Sequence, residues 1–315
     1  MKVPSFLPPP LRRPCLRSAW LPSALMRATL LELAILAGHV LIYPSGIASE
    51  RRNPTTPPGP APEPGDGPVR DDRAAGPAAP SPLTPSADTV TSPVTTLGPP
   101  SDDDRPPVVL MHGFIDNRSV FVLLRRALSR HGWHHLESLN YSPLTCDIRT
   151  AAELLARHVE EICARTGHRE IDIVGHSLGG LIARYYVQRL GGDRRVRTLV
   201  TLGTPHGGTA VAPVAAAHPI VRQMRSGSDL IEELRHPAPG CRTRFVSFWS
   251  ELDRVMVPVE TARVDHPDLD AVNVRVTGIG HLALPVHPAV AAAIRQAIES
   301  DDSVTLDTPG VTSVA

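Results

Sequence analysis

Lysine is almost missing from this chain: Lys2 is the single one in 315 residues. A P-loop phosphate contact, a Schiff base and a Ser-Lys catalytic pair each need an internal amine, so those chemistries are excluded. Cysteine is scarce as well. The four (Cys15, Cys146, Cys163, Cys241) are scattered and form no C-x-x-C pair, which rules out a disulfide scaffold. A bridge from Cys146 or Cys163 to Cys241 and buried free thiols both stay open. Net charge is lacking too, since 32 basic and 32 acidic residues cancel, and no nucleic-acid partner is expected.

Proline is what the chain has in excess, with 34 residues, and it divides the sequence into parts. Residues 51–105 mix it with Ala, Gly, Ser, Thr and Asp and hold almost no large apolar side chains. Such a segment cannot bury enough surface to offset its ordering entropy, which predicts an extended, disordered linker. Residues 1–50 are basic at first, with Arg12, Arg13, Arg17 and Arg27 against Glu32, and then apolar from Ala28 to Ile47. Arginines ahead of an apolar run fit a targeting signal or a membrane segment whose arginines stay on the cytoplasmic side. Glu32 and His39 inside the run are costly in lipid. The other reading is a helix packed on the domain or lying on a membrane surface. The first predicts a protein at the cell membrane or secreted, associated with membrane through residues 28–47; a cytoplasmic location is the alternative.

From Pro106 to about Ser300 short apolar runs alternate with helical periodicity. Strands are expected near Val108–Met111, Leu136–Leu139, Ile171–Val174, Val196–Leu202, Arg244–Trp249 and Val272–Thr277. Helices are expected near Ser119–Arg130, Thr150–Thr166, Leu178–Leu190 and Ala289–Glu299. Nearly all-apolar strands alternating with helices predict an α/β domain: a mostly parallel sheet of about six strands covered on both faces. Residues 301–315 read as a tail.

Gly175-His176-Ser177-Leu178-Gly179 follows the strand IDIV and leads into the helix LGGLIARYYVQRL. That is the context a nucleophile elbow requires: a strained turn, with glycines keeping side chains away from strand and helix. A serine hydroxyl needs a base within hydrogen-bond reach, and elbow-type sheets place the partners in the chain order Ser, acid, His. His281, in Gly278-Ile279-Gly280-His281 after the last expected strand, fits the base. His266 precedes that strand, and His287 opens the final helix. Asp253, in the loop after RFVSFWS, fits the acid that orients the imidazole, with Glu251 as its rival. An oxyanion hole needs two preorganised N–H groups; Leu178 and Phe114, the latter in the loop after the first strand, are placed to supply them.

Four more side chains are expected to line the substrate site: His112, His176, Thr204 and His206. His112 also reads as a buried, hydrogen-bonded loop anchor. His206, in Gly203-Thr204-Pro205-His206-Gly207-Gly208, has no second ligand at metal spacing, so it reads as a site-lining residue. No metal and no cofactor are expected.

H-G-F at 112–114, G-H-S-L-G-G at 175–180, G-T-P-H-x-G at 203–208 and the late G-x-G-H at 278–281 together resemble the bacterial triacylglycerol lipase and esterase group of the α/β-hydrolases. Their lipase-like relatives include lecithin acyltransferases and glycosylphosphatidylinositol inositol-deacylases. The resemblance covers about residues 106–300. It implies a Ser177-Asp253-His281 triad with Phe114 and Leu178 as oxyanion donors, acting on an ester or lipid substrate through an acyl-enzyme without a cofactor. Thr209–Gly240 leaves room for a short cap of one or two small helices over the site. Transfer of the acyl group to an alcohol, or a membrane-tethered binding protein on an inactive hydrolase fold, are the competing functions.

Overall fold

The structure, a computed structural model, describes residues 20–47, 105–141, 147–212, 218–300 and 312–314. The expected linker therefore lies outside the described residues except at Arg105, as do Cys15 and Cys146. Cys163 and Cys241 are free thiols.

Seven strands form one sheet in the order β2-β1-β3-β4-β5-β6-β7, every neighbouring pair parallel. They are β1 (Val108–Met111), β2 (Leu136–Leu139), β3 (Ile171–His176), β4 (Val196–Leu202), β5 (Arg244–Ser250), β6 (Ala271–Val276) and β7 (Thr312–Val314). The first six match the sequence expectation to within two residues at each end. The seventh corrects it, because the expected tail supplies a short edge strand beside Val274–Val276.

Strand periodicity sorts the core. Val109 and Met111 of β1 face one layer with Ile171 and Ile173 of β3, while Val108, Leu110 and Val174 face the other. The first layer is closed by α3 (Ile148–Thr166) and α4 (Leu178–Arg189), the second by α2 (Val122–Ser129) and α7 (Pro288–Glu299). Parallel strands need crossover helices, so both faces are covered and the strands carry almost no exposed residue. Asp147 caps α3 by accepting from the Thr150 amide, and Gly167 ends it in the left-handed conformation, at φ 77°.

The order in which strands are added reverses at β1. From there the chain goes outward to β2, then returns to β3 on the other side. Loops leaving β1 and β3 thus diverge toward opposite faces and leave a crevice beyond their carboxyl ends, where ligands of open α/β sheets bind. The segment expected to hold a short cap contains two short helices, α5 (Pro219–Gln223) and α6 (Asp229–Glu233), the second buried against the first layer through Leu230 and Ile231.

One element stands apart from this alternation. Helix α1 (Trp20–Ile47) packs on the domain through one face, with Ala28 buried and Ile35 half-buried against the second layer. Its opposite face leaves Met26, Leu30 and Leu33 exposed. Among the described residues no helix is long and apolar enough to cross a membrane.

Candidate active site

Ser177 stands between β3 and α4 at φ 52° and ψ −116°, the only non-glycine with positive φ among the described residues. A left-handed backbone at a residue with a Cβ is held only where its surroundings over-determine it. Here the glycines explain how. A Cβ on Gly175 would lie 2.5 Å from the Gly180 backbone, and one on Gly179 would lie 2.4 Å from the Met111 carbonyl oxygen. Strand and helix can therefore approach closely, and the Ser177 amide donates to the Leu202 carbonyl at 2.9 Å. The N-terminus of α4 points its free amides at the same place.

His281 follows β6, and Asp253 follows β5. Nδ1 of His281 lies 2.7 Å from Oδ2 of Asp253, and both side chains are buried. A carboxylate can only accept, so Nδ1 carries the proton and Nε2 is left with its lone pair. Burial is the strongest influence on His281 and would lower its pKa. The charge and hydrogen bond of Asp253, aided by Glu32 and Asp116, outweigh it and hold the imidazole above its ordinary value. Gly203 lies beneath this pair: a Cβ there would be 2.9 Å from Nδ1 of His281 and 3.0 Å from Oδ2 of Asp253. The rival Glu251 is exposed and pairs with Arg275.

Ser177 and His281 line the same cavity of about 350 Å³. Phe114, Ile115, Val211, Ala212, Val221 and Met224 make its apolar walls, drawn from the β1 loop and the cap segment. Gly113 brings the β1 loop close to the elbow, since a Cβ there would lie 3.4 Å from that of Ser177.

Of the four expected lining side chains, only His176 is on the cavity wall. It spans the site, with Nδ1 3.3 Å from Asp116 and Nε2 3.3 Å from the His281 carbonyl oxygen. The other three require correction. His112 is a loop anchor behind the wall, stacked on Tyr141 at 4.4 Å with Nδ1 2.8 Å from the Gly113 carbonyl. Thr204 turns inward and donates to the Ser177 carbonyl at 3.0 Å. His206 is buried below, with Nε2 2.9 Å from Thr201 Oγ1. Burial, followed by the nearby Arg184, keeps the His206 pKa well below its ordinary value, so this ring is neutral. Pro205 is what that loop presents to the cavity.

Sequence reasoning missed Glu32. It lines the cavity from α1, accepting the Leu282 amide on Oε2 and the Ala283 amide on Oε1, each at 3.0 Å. A lone acid in an apolar run was the signal available, and it counts against a membrane span as well as for a docked helix. Asp116 was missed too. It adds a second carboxylate at the wall, beside His176.

Known proteins resemble this chain in sequence and in fold. The family model described as palmitoyl protein thioesterase matches residues 107–238, which include the Ser177 elbow and end before Asp253 and His281. Triacylglycerol lipases of Pseudarthrobacter phenanthrenivorans and Burkholderia plantarii are each 30% identical over 116 residues, or 34% of this chain. The match spans only about a third of those relatives, 35% and 32% of their lengths. Aspergillus fumigatus lipase B superposes with a TM-score of 0.56 at 16% identity, covering 62% of this chain and 53% of its own. The mature form of Bacillus licheniformis lipase BlEst2 gives 0.52 at 16% identity, covering 62% of this chain and 92% of its own.

Proposed function

We propose that this lipase-like chain of the α/β-hydrolase fold is a serine hydrolase that cleaves carboxylic esters with an apolar acyl chain. One observation carries the reading: His281, paired with the buried Asp253, shares an apolar cavity with a serine held at positive φ. In this mechanism Nε2 of His281 removes the Ser177 hydroxyl proton as Oγ attacks the ester carbonyl. Negative charge moves to the carbonyl oxygen, where the amides of Phe114 and Leu178 are assigned as donors. The tetrahedral species collapses, His281 returns the proton to the departing alcohol, and the acyl group remains on Ser177. Water, activated by the same imidazole, then releases the acid.

The same steps cleave a thioester, with a thiol departing in place of the alcohol. The match to the palmitoyl protein thioesterase model favours testing that second substrate. Paired oxyesters and thioesters of one acyl chain, together with fluorophosphonate labelling, test both. Failure of the purified chain to be labelled at Ser177, or labelling that survives Ser177→Ala, sinks the serine-hydrolase reading.

The outward face of α1 supports attachment to a membrane surface, and the arginines ahead of the apolar run support a location outside the cytoplasm. Met26, Leu30 and Leu33 form an exposed apolar stripe on the face of α1 opposite Glu32, and moving such side chains from water into lipid is favourable. Protease added to intact cells tests the location: a domain protected until lysis places the protein inside.

A further inference from the structure

We propose that Glu32 of α1 is a positioning residue for His281, so that the N-terminal helix is part of the working site. The inference rests on the serine-hydrolase reading and extends it to a residue 250 positions from the loop it holds.

The loop after β6 must present the imidazole with its Nε2 toward Ser177. Three contacts restrain it. Asp253, from the β5 loop, accepts a hydrogen bond from Nδ1 of His281. His176, at the end of β3, reaches the His281 carbonyl, and its ring centre lies 4.8 Å from that of His281. Glu32 takes the amides of the two residues that follow, Leu282 and Ala283, one on each carboxylate oxygen.

The loop is also shaped to receive that carboxylate. A Cβ on Gly280 would come within 2.8 Å of Glu32 Cδ and Oε1, so only glycine leaves the space. Glu32 shares its helix face with Ala28 and Ile35, spaced four and three residues away, which seat that face against the domain. A charge-assisted pair of N–H···O bonds is stronger than two neutral ones, and it fixes direction as well as distance.

The groups facing His281 set its titration. They are Asp253 from the β5 loop, Asp116 from the β1 loop, His176 from β3 and Glu32 from α1. A carboxylate stabilises the imidazolium, so losing the charge of Glu32 makes His281 give up its proton at lower pH.

The test uses the full chain with Glu32→Gln and Glu32→Asp. Glutamine keeps the length, but its amide nitrogen cannot accept, so one of the two N–H groups loses its partner. We expect kcat on a soluble ester to fall at least ~10-fold with KM changed less than ~3-fold, because misplaced catalytic groups cost rate more than binding. The acid limb of kcat/KM should move to lower pH, and the His281 resonance, followed by NMR, should titrate lower by the same amount. Glu32→Asp, still a carboxylate, should recover part of kcat. If the wild type is labelled at Ser177 while Glu32→Gln keeps its kcat and its His281 titration, Glu32 has no positioning role. A wild type that is not labelled overturns the hydrolase reading itself, and the proposal with it. Should Glu32→Gln fold poorly by circular dichroism, the Asp variant decides: a lowered kcat with His281 titrating as in the wild type, its neighbouring charge being kept but misplaced, supports the role, and a wild-type kcat counts against it.

Discussion

Oδ2 of Asp253 meets Nδ1 of His281 at 2.7 Å, while its other oxygen accepts from the amides of Val255 at 2.8 Å and Met256 at 3.0 Å. The carboxylate is thus held from both sides and can shift little when the imidazole gains or loses a proton. Burial alone would raise the Asp253 pKa; the charge and hydrogen bond of His281 and the two amides carry it below the usual value. Asp253 therefore stays ionised and can stabilise an imidazolium without taking its proton.

Ser177→Ala should lower ester hydrolysis by ~10⁴-fold or more, because members of such a triad act as a unit. The fold should survive: Ser177 is tied into the elbow by its backbone, whose N–H donates a hydrogen bond to the Leu202 carbonyl and whose carbonyl accepts one from the Thr204 hydroxyl. Steady-state rates together with circular dichroism check both halves.

Asp253→Asn should cost ~10³- to 10⁴-fold in kcat, since its amide group would favour the wrong imidazole tautomer. Glu251→Gln, on an exposed side chain paired with Arg275, should stay within ~3-fold of wild type because surface pairs contribute little. A larger effect at Glu251 would pass the acid role to it.

The pH dependence has a definite sign. The proposed mechanism needs neutral His281, and its pKa is held above the ordinary 6.5 chiefly because Asp253 outweighs burial. Hydrolysis should therefore be lost as pH falls through a value above 6.5. A kcat/KM profile checks it, and an acid limb below the ordinary imidazole value would contradict the described charge balance.

Gly179→Ala should destabilise the domain by about 2 kcal/mol, within the usual cost of overpacking. Its Cβ would meet the Met111 and His112 carbonyl oxygens at 2.4 and 2.7 Å, and both are backbone. Gly180→Ala should cost less stability, since the atom in its way, Thr204 Oγ1 at 2.0 Å, belongs to a side chain that can rotate. That rotation gives up the Thr204 bond to the Ser177 carbonyl, so activity should fall more than stability. Thermal melts and rates of the two variants separate the effects.

Much of this arrangement was legible in the sequence, for identifiable reasons. Strand β3 is buried along its whole length, and a strand with two covered faces reads as a nearly continuous apolar run, broken here by Asp172, which pairs with Arg197. The elbow was legible because its glycines answer to close backbone approach, a local demand. Depth within a loop was not. Thr204, Pro205 and His206 are consecutive, yet only Pro205 reaches the cavity, because hydrogen bonds to Ser177 and Thr201 draw its neighbours inward. Glu32 was beyond reach for another reason. Its partners are backbone amides, which leave no mark in the composition of the loop they belong to.

The exposed face of α1 leads to a prediction about insoluble substrates. Leu30 is 61% and Leu33 57% exposed, and Met26, four residues before Leu30, continues the stripe. The buried Ala28 and the Glu32 latch hold the opposite face, so this stripe is free to meet lipid while the helix stays docked. Burying a leucine side chain contributes about 1.5–3 kcal/mol, so two leucines can decide whether a surface is held. The double variant Leu30→Glu, Leu33→Glu should therefore bind neutral phospholipid vesicles at least ~10-fold more weakly. Hydrolysis of an emulsified long-chain ester should fall with it, because such an ester is presented only at a lipid–water interface. A soluble short-chain ester should be cleaved at the wild-type rate, since neither leucine lines the cavity. Vesicle co-sedimentation and the two assays, run side by side, check this. Equal vesicle binding by variant and wild type would remove α1 as the attachment surface.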